Sequence, residues 1–248
     1  MNKCLFTLLA LMLSGVAHAQ DEQNPEEITE GQNMVFIGQG DWNDLENWQD
    51  VDRLPTPSDN VIIASGAICY MPETAVGQYE TLTIEDGAQL YAPEDAFIVA
   101  TVKKNIEGYT PALMNNWYLL SFPVAIEEPD FQAAGMITES NYDLFYFDQD
   151  FPGKVEDDEA NGEWRNYKWC MENGEEFKAD YNAYLYANRR NTTLSFTGIL
   201  YTEGTKVYQR IKFNSDSEQV GVNLIGNPYT CNAEVVTGSR ISGIYMTT

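Results

Sequence analysis

Apolar and polar residues alternate in short runs along this chain, and one set of runs occurs twice. The stretch VIIASGAICYMPE, Val61 to Glu73, returns as LTIEDGAQLYAPE, Leu82 to Glu94. Aligned without gaps, the copies lie 21 residues apart and agree at six positions: Ile63/Ile84, Gly66/Gly87, Ala67/Ala88, Tyr70/Tyr91, Pro72/Pro93 and Glu73/Glu94. Alternation on either side of a Ser/Asp-Gly-Ala step reads as strand, bend, strand, with the glycine allowing a positive φ and close stacking of the next copy. A fixed period of about twenty residues is the pattern of a solenoid, whose coils stack because none buries its own inward face. Two consecutive hairpins of an ordinary sandwich are the other reading of the same residues.

Before the repeat, order is expected to begin at Met34-Val35-Phe36-Ile37. Trp42 and Trp48 then bracket a polar turn, Pro55 and Pro57 break any regular element, and Asp59-Asn60 lead into the first copy. After the repeat, Phe97 to Val102 reads as a third strand without the glycine signature, and Lys103-Lys104-Asn105 with Gly108 and Pro111 marks a boundary. Beyond it the runs are richer in aromatic residues: Asn116 to Pro123, Tyr142 to Phe147, Trp164 to Trp169, Tyr181 to Tyr186 and Leu194 to Gly198. Such strands, separated by Gly, Asn and Asp turns, predict an antiparallel sandwich. EEPDFQAAGMITES connects two of them with one helical turn, and no segment has convincing helical periodicity. The fold class expected is therefore all-β.

Two sets of residues resemble a known family. W-(five residues)-W from Trp42 to Trp48, then L-P-x-P-S-D-N-V-x-I and x-G-A, is similar to the opening of extracellular parallel β-helix proteins, especially the large secreted surface proteins of Bacteroidetes. The order W-x-L-x-S-x-P, Y-D-L-F-Y-F, W-x-N-Y, Y-N-A-Y-L-Y-A and F-T-G looks like the sandwich module that follows in the same proteins, and Val222-Asn-Leu-Ile-Gly-Asn-Pro-Tyr229 resembles its continuation. The resemblance implies a short right-handed parallel β-helix over 33–105, its first coil capped by the tryptophan turn, and a β-sandwich module over 106–248. In such proteins many more residues follow, usually with a carboxy-terminal sorting domain for type IX secretion; this chain stops at Thr248, so a fragment of a longer reading frame is expected.

Targeting and charge narrow the setting. Residues 1–19 combine Lys3, an apolar run from Leu5 to Leu13 and the small-residue end Ala17-His18-Ala19, the pattern of a secretory signal peptide cleaved between Ala19 and Gln20. A polar leader, expected to be disordered, follows over 20–32. No later stretch is apolar enough to span a membrane, so the expected location is extracellular or on the outer cell surface. Loss of Lys3 lowers the basic count from 14 to 13 against 38 acidic residues, a formal charge of −25. That surface repels nucleic acid and anionic lipid.

The single histidine, His18, leaves with the signal peptide, which excludes Ser-His-Asp and Cys-His mechanisms in the mature chain. Cys69, Cys170 and Cys231 remain, an odd number at wide spacing without C-x-x-C, so at most one internal pair can form and small buried residues are the simpler reading. Asp148, Asp150, Glu156 and Glu159 fall at positions 1, 3, 9 and 12 of a calcium-type loop, with Gly153 at position 6. Against calcium stand Pro152 at position 5 and strand-like flanks; a solvated hairpin tip explains the same residues. Trp42 and Trp48 serve either as cap packing or as a sugar-stacking platform.

No catalytic residue can be named. The expectation is a non-enzymatic exported structural or adhesion protein without a cofactor, meeting host or matrix glycans or proteins. The alternative is a carbohydrate-binding or carbohydrate-active β-helix protein working through carboxylates, with calcium.

Overall fold

The computed structural model describes residues 31–110, 115–125, 130–149, 164–177, 183–202, 211–217 and 219–232. The expected signal peptide, its Ala19–Gln20 cleavage point and the leader up to Glu30 lie outside them. The end of the expected leader is ordered, because both backbone polar groups of Gln32 are bonded: its N–H donates to Asp59 Oδ1 at 2.9 Å and its carbonyl accepts from Asn60 N at 2.8 Å.

The repeat folds as its pattern predicts at the level of strands. β1 (Asn33–Phe36) and β2 (Gln39–Asp41) precede it; the first copy gives β3 (Asn60–Ile63) and β4 (Ile68–Tyr70), the second β5 (Thr81–Ile84) and β6 (Gln89–Tyr91). Gly66 and Gly87 turn between the strands of each copy with φ of +80° and +81°. β3 pairs with β5 in parallel, Asn60 opposite Thr81 and Ile63 opposite Ile84, and β4 pairs with β6 in parallel, Ile68 opposite Gln89 and Tyr70 opposite Tyr91. β1 extends the first pairing onto β3 and β2 extends the second onto β4, again in parallel. Consecutive hairpins would have given antiparallel partners, so the hairpin reading does not hold here.

Alternate residues face inward, and these are the apolar ones: Met34 and Phe36, Val61 and Ile63, Leu82 and Ile84 from one sheet, Cys69 and Leu90 from the other, all buried in one core. Complete burial of such a side chain contributes about 1.5–3 kcal/mol. Stacked rows of them dominate the local stability.

β7 (Val99–Ile106) continues the larger sheet, parallel to β5. The residues expected to mark a boundary, Lys103 to Asn105, lie inside this strand. β8 (Tyr118–Leu120), β9 (Val124–Ala125), β10 (Tyr142–Phe147), β11 (Trp164–Asn166), β12 (Tyr184–Asn188) and β13 (Thr192–Leu200) follow, with one helix, α1 (Tyr167–Asn173). β13 pairs antiparallel with β7 from Thr192 opposite Ile106 to Ile199 opposite Val99, and with β9 on its other side. The six-stranded sheet thus runs β1-β3-β5-β7-β13-β9, joining both halves of the chain across β7 and β13. An antiparallel sheet of order β11-β10-β12-β8 packs through Tyr142, Leu144, Tyr146, Tyr184 and Tyr186 into the same buried cluster. The described residues form an all-β architecture with one short helix.

That helix corrects an expectation. The run Trp164 to Trp169 was expected to be a single strand, but only its first three residues pair; from Tyr167 the chain coils. Asn166 caps the start, its Oδ1 accepting from Trp169 N at 3.1 Å, and Gly174 ends it in the left-handed conformation. Both capping residues are of the type such ends prefer. Seven residues are too few to show a periodicity. The helical turn expected between β9 and β10 is present, with Ala134 N donating to Asp130 O at 3.0 Å.

Candidate functional site

Both ends of the parallel stack are covered, and each cover is built from named side chains. At the first end, the chain leaves β2, makes a 3-10 turn at Leu45–Asn47 and returns antiparallel along the outer edge of β1. Gln49 N donates to Val35 O at 2.9 Å, and Ile37 N to Asn47 O at 2.8 Å, so the free edge of β1 is paired. Asp44 starts the 3-10 turn by accepting from Glu46 N at 3.0 Å.

Trp42 and Trp48 are the apolar part of this cover. They are 1% and 4% exposed, meet edge to face with ring centroids 4.8 Å apart, and Trp48 Nε1 donates to Trp42 O at 2.7 Å. Phe36 closes the cluster, 5.2 Å from Trp48. No indole face is left for a sugar, so of the two readings of these tryptophans the structure has cap packing. An aromatic pair in this geometry is worth about 0.5–1.5 kcal/mol beyond its area, and the indole N–H has its partner.

Just ahead of the first copy, Asp59 holds the cover to the stack. Fully buried, it accepts from Arg53 Nη1 at 2.6 Å and Nη2 at 2.9 Å, from Thr56 N at 2.7 Å, from Thr56 Oγ1 at 2.8 Å and from Gln32 N. The Arg53 guanidinium, with the backbone and hydroxyl donors, outweighs desolvation and holds the carboxyl well below the usual carboxylate range. This Arg-Asp clasp was not read from the sequence, although the spacing Arg53-x-x-Thr56-x-x-Asp59 carries it.

At the other end, the free edge of β6 is covered by residues far along the chain. Leu90 N donates to Thr230 O at 3.0 Å, and Thr230 Oγ1 donates back to Leu90 O at 3.0 Å. Asn227 shapes the covering segment, its Oδ1 accepting from Tyr229 N at 3.0 Å and its Nδ2 donating to Cys231 O at 2.9 Å. Ser121 Oγ donates to Asn227 O, and Tyr201 bridges to Tyr229. The sequence singled out this stretch only as Gly-Asn-Pro-Tyr; its contact with β6 has no local signal.

Of the candidate calcium ligands, Asp150, Glu156 and Glu159 lie outside the described residues. Asp148 is buried and its Oδ1 accepts from Lys212 Nζ at 2.9 Å. Beside it, Gln149 donates to Gln219 O and Val222 O and accepts from Asn214 N, docking 211–217 and 219–223 onto the end of β10. Among the described residues no group of three or more His, Cys, Asp or Glu is placed to hold a metal ion. Cys69 and Cys170 are buried and unpaired with one another, and burial pushes both thiols up.

The outward faces carry the accessible chemistry. Tyr70 and Tyr91, the tyrosines shared by the two copies, stack on the outside of the smaller sheet with centroids 4.8 Å apart, and Tyr70 is 51% exposed. On the larger sheet Thr83, Thr101 and Thr197 form one row across β5, β7 and β13, with Thr101 and Thr197 hydroxyls 2.8 Å apart. Lys103 pairs with Glu85 at 2.7 Å and Lys104 with Asp86 at 2.8 Å, so the lysines of β7 neutralise the acidic turn between β5 and β6.

These features define an all-β protein in which a parallel strand stack, closed at both ends, shares a sheet and a core with an antiparallel half. No family model, curated protein or solved structure matches the chain. Among the described residues no helix is long and apolar enough to cross a membrane.

Proposed function

We propose that this chain is a non-enzymatic exported protein of the cell surface or extracellular space, with a structural or adhesive role, built as a short right-handed parallel β-helix over 33–105 leading into a β-sandwich-type module over 106–248. One observation carries the architecture in this reading: the two sequence copies lie residue on residue in two parallel sheets, Ile63 beside Ile84 in one and Cys69 beside Leu90 in the other, as successive coils do. The secretory pattern of residues 1–19 and the strongly acidic balance support export and solubility outside the cell. The sugar-platform alternative loses its residues, since Trp42 and Trp48 are packed inside the cap.

Adhesion would be carried by shape and by exposed aromatic side chains, among them Tyr70 and Phe97, against host or matrix glycans or proteins. The test is to express the full chain with its leader in a bacterial host, fractionate the cells, and determine the amino terminus of the exported product. Export beginning at Gln20, followed by saturable binding of that product to immobilised matrix proteins or glycans that weakens in Tyr70→Ser/Tyr91→Ser, is the expected result. Retention inside the cell with residues 1–19 intact, or turnover of a polysaccharide by the purified product, would overturn the proposal.

A further inference from the structure

We infer that the segment Asn227–Cys231 is an exchangeable edge cover, and that the outer edge of β6 accepts this same segment from a second copy of the chain. This goes beyond the reading above and does not depend on it.

β6 is the last strand of its parallel sheet, bonded to β4 on one side. A bare strand edge is a template for pairing with another chain. Here a single residue meets both polar groups of Leu90: Thr230 accepts the N–H through its carbonyl and satisfies the carbonyl through its hydroxyl. A hydroxyl therefore does the work of a backbone N–H, and among the described residues the grip on this edge of β6 is two hydrogen bonds, where β4 offers a three-residue strand on the other side. The partners are 140 residues apart, so their contact is one of proximity in space, which a second molecule can also supply as concentration rises toward the effective concentration within one chain.

The covering segment carries its own shape. Asn227 ties Tyr229 N and Cys231 O through its side chain, so the turn does not depend on β6 to form. It is also uncharged: Gly226-Asn-Pro-Tyr-Thr-Cys-Asn232 has no ionisable acid or base of the Asp, Glu, Lys or Arg type, and neither has β6, in a chain of formal charge −24. Like-charge repulsion between copies is least where these two stretches meet. Exchanging an identical element between copies preserves its contacts, which makes such exchange a low-cost route to a dimer.

The test uses the full chain, its Thr230→Val variant, and a synthetic peptide of residues 226–232, with hydrogen exchange at the Leu90 amide and sedimentation over a range of concentrations. Thr230→Val keeps the shape and removes one hydrogen bond, so Leu90 exchange should quicken by about fivefold while amides of β3 and β5 do not change. The peptide should restore Leu90 protection in the variant, its Thr→Val counterpart should not, and the unaltered chain should show a dimer fraction that rises with concentration and falls when peptide is added. Unchanged Leu90 exchange in Thr230→Val, a peptide without effect, or a mass that stays monomeric at every concentration would overturn the inference. So would equal protection of Leu90 by an unrelated threonine-bearing strand, which would make β6 a general edge and not an acceptor for this segment.

Discussion

Asp59 shows what one residue can hold. It joins the leader through Gln32, the proline-rich turn through Arg53 and Thr56, and β3 through its own backbone neighbour Asn60. Its carboxyl is depressed in the folded chain, so its contribution to stability is full above the unfolded value of about 3.9 and is lost as pH falls through the lower folded value. Between pH 7 and pH 3 the parent chain should therefore lose more stability in denaturant melts than Asp59→Asn does, the rest of the Asp59 contribution going only at still lower pH. At pH 7 the substitution should cost on the order of 3 kcal/mol, because it leaves Arg53 and the backbone donors facing a poorer acceptor. Equal acid sensitivity in the two proteins would show that other carboxylates govern the acid limb. The spacing Arg53-x-x-Thr56-x-x-Asp59 is the one local mark of this clasp, and it is a faint one, since an acid that turns inward looks like any other of the 38 acidic residues until the fold surrounds it.

The element that repeats is strand, glycine bend, strand, and its two glycines test the reading most directly. Both have φ near +80°, a region an L-residue with a Cβ enters only at a cost. An added Cβ at Gly66 would meet nothing within 4 Å, while at Gly87 the nearest atom is Ser65 Oγ at 3.4 Å. Gly66→Ala should therefore lower stability through backbone strain alone, by about 1–2 kcal/mol, and Gly87→Ala by a similar amount. Thermal melting of the two variants measures this, and a neutral Gly66→Ala would mean the bend can be rebuilt with negative φ. These glycines and the alternation around them were legible in the sequence because they act locally. The helix α1 was not, because its position is set by tertiary contacts: Tyr167 packs on Phe131 and Phe177, and Arg165, under Trp169, pairs with Glu175.

At the scale of the molecule, the two halves expected from the sequence meet in one continuous sheet. β7 has eight residues paired with β13, from Val99 to Ile106, and two with β5. Its stronger partner therefore belongs to the second half. A fragment of residues 31–106 should leave the β7 edge and the β6 edge both bare, and should be unfolded or self-associated when made alone. Circular dichroism and sedimentation of that fragment decide the matter: a folded, monomeric fragment would mean that the cap and the two repeated strand pairs suffice. Adding residues 107–232 in trans should restore a soluble complex, since that piece brings both β13 and Thr230.

Local chemistry decided what could be read in advance. Period-two alternation, the two Gly-Ala bends, the strand at Tyr142 to Phe147 and the stretches around Trp42 and Trp48 follow from preferences that act within a few residues, and the sequence alone determined them. Whether the paired copies would run parallel depended on how a chain of short strands buries its inward face, and only stacking could settle it. The partners of Asp59, the commitment of Asp148 to Lys212, the sheet shared by β7 and β13, and the closure of β6 by Thr230 all join residues distant in sequence or turned by packing. Such contacts leave no periodic mark, because each is a single meeting of groups whose nearness is created by the fold.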